Sequence, residues 1–114
     1  MMSLSEQSCV PCRGGSAALT ADEIAPLAAQ IDHWTVVSDH HLKKDFTFPD
    51  FTSALAFVNA VGAIAEAQGH HPDIALAWGR AGVTIWTHKI DGLTESDFIL
   101  AAKIDAITRE PVSA

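Results

Sequence analysis

Three histidines, His70, His71 and His88, are the residues whose type best suits chemistry in this sequence. The unperturbed pKa of histidine lies closest to neutrality, so an imidazole can accept or donate a proton near pH 7. Two carboxylates accompany them, because Glu66 precedes His70 by four residues and Asp97 follows His88. A dehydration needs an acid and a base together, and imidazoles in different environments can divide those roles. The residue types therefore indicate general acid–base catalysis.

These histidines are far apart in sequence, and a predicted hairpin would bring them together. Residues 73–78 and 83–88 are strand-like, and residues 79–82 (Gly-Arg-Ala-Gly) are predicted to form the turn between them. If the two strands pair, Pro72-Asp73 and Thr87-His88 lie at the same end of the hairpin. We therefore expect one shared site there.

Each of these residues also has a structural interpretation. The His70-His71 pair, followed by Pro72, can end a helix with favourable dipole contacts, and Glu66 can be a solvated helix residue. Asp97 is the third residue of a predicted capping box, a role that is compatible with a functional one. The remaining aromatic and histidine residues are interpreted as sheet packing (Trp78, Trp86) or as polar surface residues (His33, His40, His41).

Capping signals and periodicity predict the helices that position the site. Thr20 and Glu23 form a capping-box pattern at the start of a helix that Pro26 should keep short or bent. Asp50 is the predicted cap of a second helix, and Gly69 is its predicted stop. Its apolar residues at helical spacing are Phe51, Leu55, Val58, Gly62 and Ala65.

The strand-like runs 34–37 and 42–48 predict another hairpin between the first two helices. A third helix begins near Glu95 and runs to about Arg109. The order α-β-β-α-β-β-α predicts an α+β domain with an antiparallel four-stranded sheet and helices packed on one face. We expect this single domain over residues 19–114, after a flexible leader at residues 1–18.

The last helix is apolar on two sides, with Leu100, Ile104 and Ile107 on one and Phe98 and Ala102 on the other. Such a helix needs two covering surfaces. In a domain of this size a subunit interface is a natural second cover, so we expect a homo-oligomer, either a dimer or a tetramer.

The charge of the chain excludes some classes of partner. Its 114 residues carry a formal net charge of −7, so no basic stripe is available for nucleic-acid phosphates or an anionic membrane. Cys9 and Cys12 form a single Cys-x-x-Cys pair, whereas a structural zinc site usually takes four ligands. We interpret the two thiols as incidental, and without a secretory signal or membrane span we expect a cytoplasmic protein.

The stretch from Glu66 to Asp97 resembles the pterin-4a-carbinolamine dehydratase family. The family pattern is an acidic or related residue, three spacers, His-His-Pro, an aromatic after a short gap, a histidine after nine more residues, and an aspartate further on. The matching residues are Glu66, His70, His71, Pro72, Trp78, His88 and Asp97. The predicted order of helices and strands also agrees with the family's α+β fold. This chain departs from the family at Ile74, where an aromatic is common.

The resemblance implies dehydration of 4a-hydroxytetrahydropterin to quinonoid dihydropterin, in tetrahydrobiopterin recycling, with no metal or organic cofactor. It implies that His70, His71 and His88 are the catalytic residues, with His70 and His88 exchanging protons and His71 orienting or assisting. The substrate-binding residues that it implies are Glu66, Pro72, Asp73, Trp78, Thr87 and Asp97.

Two alternatives remain open. Some members of this family also serve as dimerisation or assembly partners of other proteins, including a transcription factor, so a protein-binding module is the second hypothesis. A zinc site built from His70, His71 and His88 is the third, although adjacent histidines on extended backbone tend to diverge.

Overall fold

The structure, a computed structural model, describes residues 4–7 and 18–109. Within them the helices and strands follow the order α-β-β-α-β-β-α, which confirms the predicted α+β class. After a short 3-10 helix at Leu4–Glu6 the elements are α1 (Ala21–Ala28), β1 (Thr35–Val37), β2 (His41–Thr47), α2 (Phe51–Gln68), β3 (Asp73–Ala77), β4 (Arg80–Ile85) and α3 (Glu95–Arg109). None of the helices in this part of the chain is long and apolar enough to cross a membrane.

The four strands form one antiparallel sheet in the order β1-β2-β4-β3. Alternate side chains of a strand point to opposite faces. On β2, Leu42 and Phe46 are buried, as is Val83 on β4, whereas Lys43 and Asp45 are exposed. The buried set packs in one core with residues of α2 and α3, so the helices cover one face as predicted.

The first helix begins as the sequence predicts, and it is short, as Pro26 indicated. The Thr20 N–H donates to Glu23 Oε1 over 2.9 Å, and the Glu23 N–H donates to Thr20 Oγ1 over 3.4 Å, which completes the capping box. Pro26 lies inside α1, which has only eight residues.

Both ends of α2 are confirmed as well. The Ser53 N–H donates to the Asp50 carboxylate over 2.7 Å, and this hydrogen bond lowers the pKa of Asp50. Gly69 ends the helix with a φ of 64°, in the left-handed region that glycine adopts at low cost.

The predicted turn between β3 and β4 is wrong by two residues. The turn is Trp78-Gly79, and the strands pair from Ala77 with Arg80 onwards. Gly79 has a φ of 71°, and a Cβ there would lie 3.0 Å from the Phe48 carbonyl oxygen. Residues 80–82, which were predicted to lie in the turn, are therefore strand, and β4 ends at Ile85 rather than at His88.

The buried stripe of α2 also differs from the prediction. Its buried residues are Ala54, Phe57, Val61 and Ala65. Phe51 is 43% exposed and Leu55 is 39% exposed, so these two lie on a second apolar stripe that residues 4–7 and 18–109 leave uncovered. The spacing of the apolar residues predicts the helix, but apolar residues lie on both of these faces. The spacing alone therefore does not indicate which face is buried.

The two apolar sides of α3 do not require a subunit interface, in contrast to the expectation from the sequence. Phe98, Leu100, Ala102 and Ile104 are all buried within the single chain. The helix α3 contacts α1, α2 and the short helix that contains Leu4, which is itself buried. The second cover of α3 is thus provided by the chain, and it includes Leu4, from the segment expected to be a flexible leader. Cys9 and Cys12 lie outside the described residues.

A buried ion pair joins the sheet to α3. Lys44 Nζ lies 2.9 Å from Asp105 Oδ1, and both side chains are almost completely buried. The same carboxylate accepts from Trp34 Nε1 over 2.9 Å and from the Asp32 N–H over 3.1 Å. Alternation along β2 puts Lys44 on the helix-facing side, where its cation needs this carboxylate.

Replacing Lys44 with methionine should therefore destabilise the protein by about 3 kcal/mol, because the Asp105 carboxylate stays buried without its cation. The matched control is Lys43→Met, one residue away on the exposed face, which should change stability by less than about 0.5 kcal/mol. Urea unfolding measures both. Equal stabilities of the two variants would contradict a structural role for this pair.

Candidate active site

The carboxylate of Asp97 is the centre of the candidate site. Its side chain is fully buried, and four hydrogen-bonding groups surround it. Oδ1 lies 2.5 Å from His70 Nε2, and Oδ2 accepts from Thr87 Oγ1 over 2.9 Å and from the Thr94 N–H over 2.8 Å. Oδ1 therefore contacts the histidine, whereas Oδ2 accepts hydrogen bonds from a backbone N–H and from hydroxyl groups.

The start of α3 fixes the position of this carboxylate. Thr94 precedes the helix, and Asp97 reaches back to its N–H as the third residue of the capping box does. A negative charge in the first turn of a helix is also favoured by the helix dipole. The predicted capping role of Asp97 is thus confirmed, and the same side chain contacts His70.

The end of α2 positions His70 beside the Asp97 carboxylate. Gly69 turns the chain in the left-handed conformation, and the His70 N–H donates to the Ala65 carbonyl over 3.1 Å. The His70 side chain is 13% exposed. An ionised carboxylate only accepts, so Nε2 of His70 carries a proton and Nδ1 is the nitrogen that can accept another.

His71 points to a different carboxylate. Its Nε2 lies 2.7 Å from Glu66 Oε1, and both side chains are largely exposed. The adjacent histidines therefore diverge, as extended backbone predicts, one to a buried carboxylate and the other to a solvated one.

His88 follows Thr87 in a compact loop after β4. The Thr87 N–H donates to the Gly92 carbonyl over 2.9 Å, which closes the loop. Thr87 is buried and contacts Asp97, whereas His88 is exposed and its ring lies 4.3 Å from that of Trp86, centroid to centroid. Asp97 thus links the loop that carries His88 to the loop that carries His70.

The structure brings most of the sequence-predicted site residues to one end of the sheet. Asp73 begins β3 and pairs with Thr84 near the end of β4, and Pro72 precedes it directly. Trp78 is the exception, because it lies at the turn at the other end of this hairpin and is 72% exposed. Trp78 follows Asp73 by five positions along the chain, which in a strand is roughly 16 Å. Trp78 is therefore not part of this site within one chain.

Ile74 occupies the position where an aromatic was expected as one wall of the pocket. It is partly buried and packs against the hydrophobic core. The departure from the family pattern therefore falls on a side chain that faces the helices.

A second group of side chains was missed by the sequence analysis. His40 and His41, expected to be simple surface residues, contact the ring of Trp86 at 5.7 and 6.0 Å between centroids. His40 Nε2 also lies 2.7 Å from Asp91 Oδ1. No local pattern connects residue 40 with residue 91, so only the pairing of β1, β2 and β4 reveals this group. His33, by contrast, is a surface residue as expected.

The metal hypothesis finds no support in this geometry. Within residues 4–7 and 18–109, no three His, Cys, Asp or Glu side chains are grouped as a metal site requires. His70 and His71 turn to different carboxylates, so they do not converge on a common point.

Comparison with known proteins shows which protein family the chain matches. Residues 17–107 match the family described as pterin 4 alpha carbinolamine dehydratase. Two relatives that carry the name pterin-4-alpha-carbinolamine dehydratase come from Rubrobacter xylanophilus and Alkaliphilus metalliredigens. The first is 55% identical, covering 94% of this chain and all of the relative, and the second is 48% identical, covering 92% and 96%.

Two solved structures are similar in fold. One, from Brucella melitensis, is described as a transcriptional coactivator/pterin dehydratase, with a TM-score of 0.75 and 34% identity over 79% of this chain and 97% of that one. The other is a pterin dehydratase-like protein identified as a RuBisCO assembly factor in the alpha-carboxysome. Its TM-score is 0.56 at 24% identity, over 69% of this chain and 90% of that one, so it supports the fold alone.

Replacing Asp97 with alanine should destabilise the protein by roughly 2–4 kcal/mol, because α3 loses its cap and the buried Thr87 hydroxyl loses its acceptor. Asp97→Asn should cost less, since an amide oxygen can still accept from Thr94 while its NH₂ group faces His70. That amide forces Nε2 of His70 to accept, which moves the ring proton to Nδ1.

Urea unfolding measures the stabilities, and ¹⁵N NMR of the imidazole identifies the His70 tautomer. Glu95→Ala, an exposed change in the same helical turn, is the control and should alter stability by less than about 0.5 kcal/mol. An unchanged His70 tautomer in Asp97→Asn would rule out the assigned hydrogen bond.

Proposed function

Since this chain belongs to the pterin-4a-carbinolamine dehydratase family, we propose that it is a hydro-lyase that dehydrates 4a-hydroxytetrahydropterin to quinonoid dihydropterin. This reaction would act in the cytoplasm, in the recycling of tetrahydrobiopterin. The family assignment supports the substrate class, and the geometry around Asp97 supports the mechanism.

The reaction needs two proton transfers and no redox change. One group removes the proton from the pterin ring nitrogen next to C4a, and another donates a proton to the 4a-hydroxyl. The C4a–oxygen bond breaks, water leaves, and the nitrogen–carbon bond becomes double. Two imidazoles with different partners can perform both transfers near neutral pH.

The hydrogen bond between His70 and the buried Asp97 is the observation that carries this proposal. A carboxylate on one ring nitrogen fixes the tautomer and orientation of an imidazole and stabilises its protonated form. Nδ1 of His70 is then the nitrogen that exchanges a proton with the substrate. Thr87 and Thr94 hold the carboxylate, so Asp97 can keep this orientation through the cycle.

His88 is the proposed partner of His70 in proton exchange. Its loop is tied to the same carboxylate through Thr87, while its own ring is exposed and accessible to a ligand. His71, held by Glu66 in a solvated pair, is assigned the assisting role. Acid and base are thus placed in different environments, one almost buried and one open.

The substrate-binding role is proposed for the residues around these histidines. Pro72 and Asp73 continue directly from His71 at the start of β3, and Glu66 lies one helical turn before His70. With Thr87 and Asp97 they complete the proposed set, from which Trp78 is removed by its position.

The first test follows the decay of freshly generated 4a-hydroxytetrahydropterin with and without the protein. We expect the protein to accelerate it, and His70→Ala and His88→Ala each to reduce the catalysed rate by about 10²-fold or more. His33→Ala, at the exposed pair with Asp32, is the matched control and should leave the rate unchanged.

Circular dichroism of the variants establishes that they are folded. Decay at the uncatalysed rate in the presence of the wild-type protein would refute the proposed function. Near-native rates in both active-site variants would refute the assigned roles alone.

A homo-oligomer is also proposed, on a different surface from the one first expected. Phe51 and Leu55 lie one turn apart on α2 and remain exposed, although their side chains are large and apolar. A second copy of the chain would remove this stripe from water.

Introducing aspartate at Phe51 and at Leu55 should reduce the molar mass of the assembly, because burying the new carboxylates is costly. Light scattering coupled to size exclusion measures the mass. Thr52→Asp, an exposed residue of the same helix, serves as the control and should keep the wild-type mass. A monomeric wild-type protein would refute the proposal.

The alternative function is a protein-binding module. It is favoured by the same uncovered stripe of α2 and by the Brucella melitensis structure, which is described as a transcriptional coactivator as well as a dehydratase. A stoichiometric protein partner in purified material, together with no turnover, would favour this alternative over the hydro-lyase.

A further inference from the structure

The imidazole of His88 is held differently from that of His70. Within the part of the chain that the structure describes, no hydrogen bond to the His88 ring is found. Its ring contact is with Trp86, at 4.3 Å between centroids and an interplanar angle of 43°. A mobile, exposed imidazole would spend little time in the orientation that proton transfer needs.

Trp86 is itself held by residues from the other hairpin. The rings of His40 and His41 lie 5.7 and 6.0 Å from the Trp86 ring, centroid to centroid. The two histidine rings also contact each other edge to face, at 5.3 Å. The Trp86 indole is therefore in contact with three imidazoles, of which His88 is one.

His40 is fixed at both ring nitrogens. Its Nε2 lies 2.7 Å from Asp91 Oδ1, and its Nδ1 lies 3.0 Å from His41 Nδ1. A hydrogen bond between two Nδ1 atoms needs a proton on one and a lone pair on the other. The two rings are therefore coupled through a single proton, and burial, His40 and Lys43 lower the pKa of His41.

The backbone on both sides of this contact is unusual. Ser38 and Asp39 in the β1–β2 turn and Asp91 in the His88 loop all have positive φ, between 52° and 55°. Non-glycine residues hold this conformation only when the surrounding structure requires it. The His40–Asp91 contact joins these two turns, which are 51 residues apart in sequence.

We propose that Trp86 is a positioning residue for His88, and that His40, anchored on Asp91, keeps the indole in place. The indole restricts the orientation of the His88 ring and interacts favourably with its protonated form, as aromatic rings do with cations. This inference rests on the proposed function, in which His88 exchanges a proton with the substrate, and it names the groups that prepare it.

The test combines Trp86→Leu with the conservative variant Trp86→Phe. The ¹H–¹³C NMR spectrum of the His88 ring should lose its ring-current shift in Trp86→Leu. This shift should be largely retained in Trp86→Phe, because phenylalanine keeps an aromatic face. In the dehydration assay, Trp86→Leu should reduce kcat about tenfold with little change in KM, and Trp86→Phe should restore most of it.

A second pair of variants tests the anchor. His40→Asn should shift the His88 resonances in the same direction as Trp86→Leu but less, since Asp91 and His41 then lose their shared partner. His33→Asn, a surface histidine with a positive φ that asparagine tolerates, is the matched control and should leave them unchanged.

The NMR measurement does not depend on turnover, so it separates this inference from the proposed function. Identical His88 ring chemical shifts in wild type and Trp86→Leu would overturn the role of Trp86, whatever the activity. Shifts that respond to Trp86 but not to His40 would overturn the role of the anchor. A wild-type protein with no dehydratase activity would overturn the proposed function and, with it, the catalytic purpose of the contact.

Discussion

The buried carboxylate of Asp97 is the constraint on which the rest of the site depends. A charge removed from water must be surrounded by donors, and here these come from three separate parts of the chain. The N-terminus of α3 supplies the Thr94 N–H, the loop after β4 supplies the Thr87 hydroxyl, and the end of α2 supplies His70. If one donor is missing, the charge is under-compensated, so stability requires the same convergence that catalysis would use.

This double use explains why a common structural signal coincides with the proposed site. A capping-box aspartate normally satisfies only the end of its helix. Asp97 uses Oδ2 for that purpose and leaves Oδ1 for His70. The sequence predicted both roles, because the capping pattern and the family pattern each include this residue. It could not predict the burial of the carboxylate, which comes from the packing of α3 beneath the sheet.

The predictions that succeeded depend on local interactions. Caps at Thr20 and Asp50 and the left-handed stop at Gly69 involve residues within a few positions of each other, so the sequence alone contains the necessary information. The order of helices and strands follows from such signals. The errors arose where two local solutions compete. Gly79 and Gly82 both suit a turn, and contact with the Phe48 carbonyl, visible only in the folded chain, shows why glycine is needed at 79.

The same limit applies to predicting which face of a helix is buried. The helices α2 and α3 each carry more than one apolar stripe, and composition cannot tell which stripe the chain covers by itself. Leu4, from a segment expected to be free, contributes to the cover of α3, and Phe51 and Leu55 on α2 remain exposed. The exposed apolar stripe on which the oligomer is proposed therefore lies on α2, and not on α3, the helix whose periodicity suggested it.

The histidines illustrate how position changes the use of one residue type. His33 is solvated beside Asp32, and His70 rests on a buried carboxylate. His40 and His41 share one hydrogen bond, and His88 depends on an aromatic neighbour. An imidazole has two nitrogens, and what occupies one determines what the other can do. Counting histidines therefore indicates that proton chemistry is possible, whereas the carboxylate, ring or solvent beside each one determines which of them can perform it.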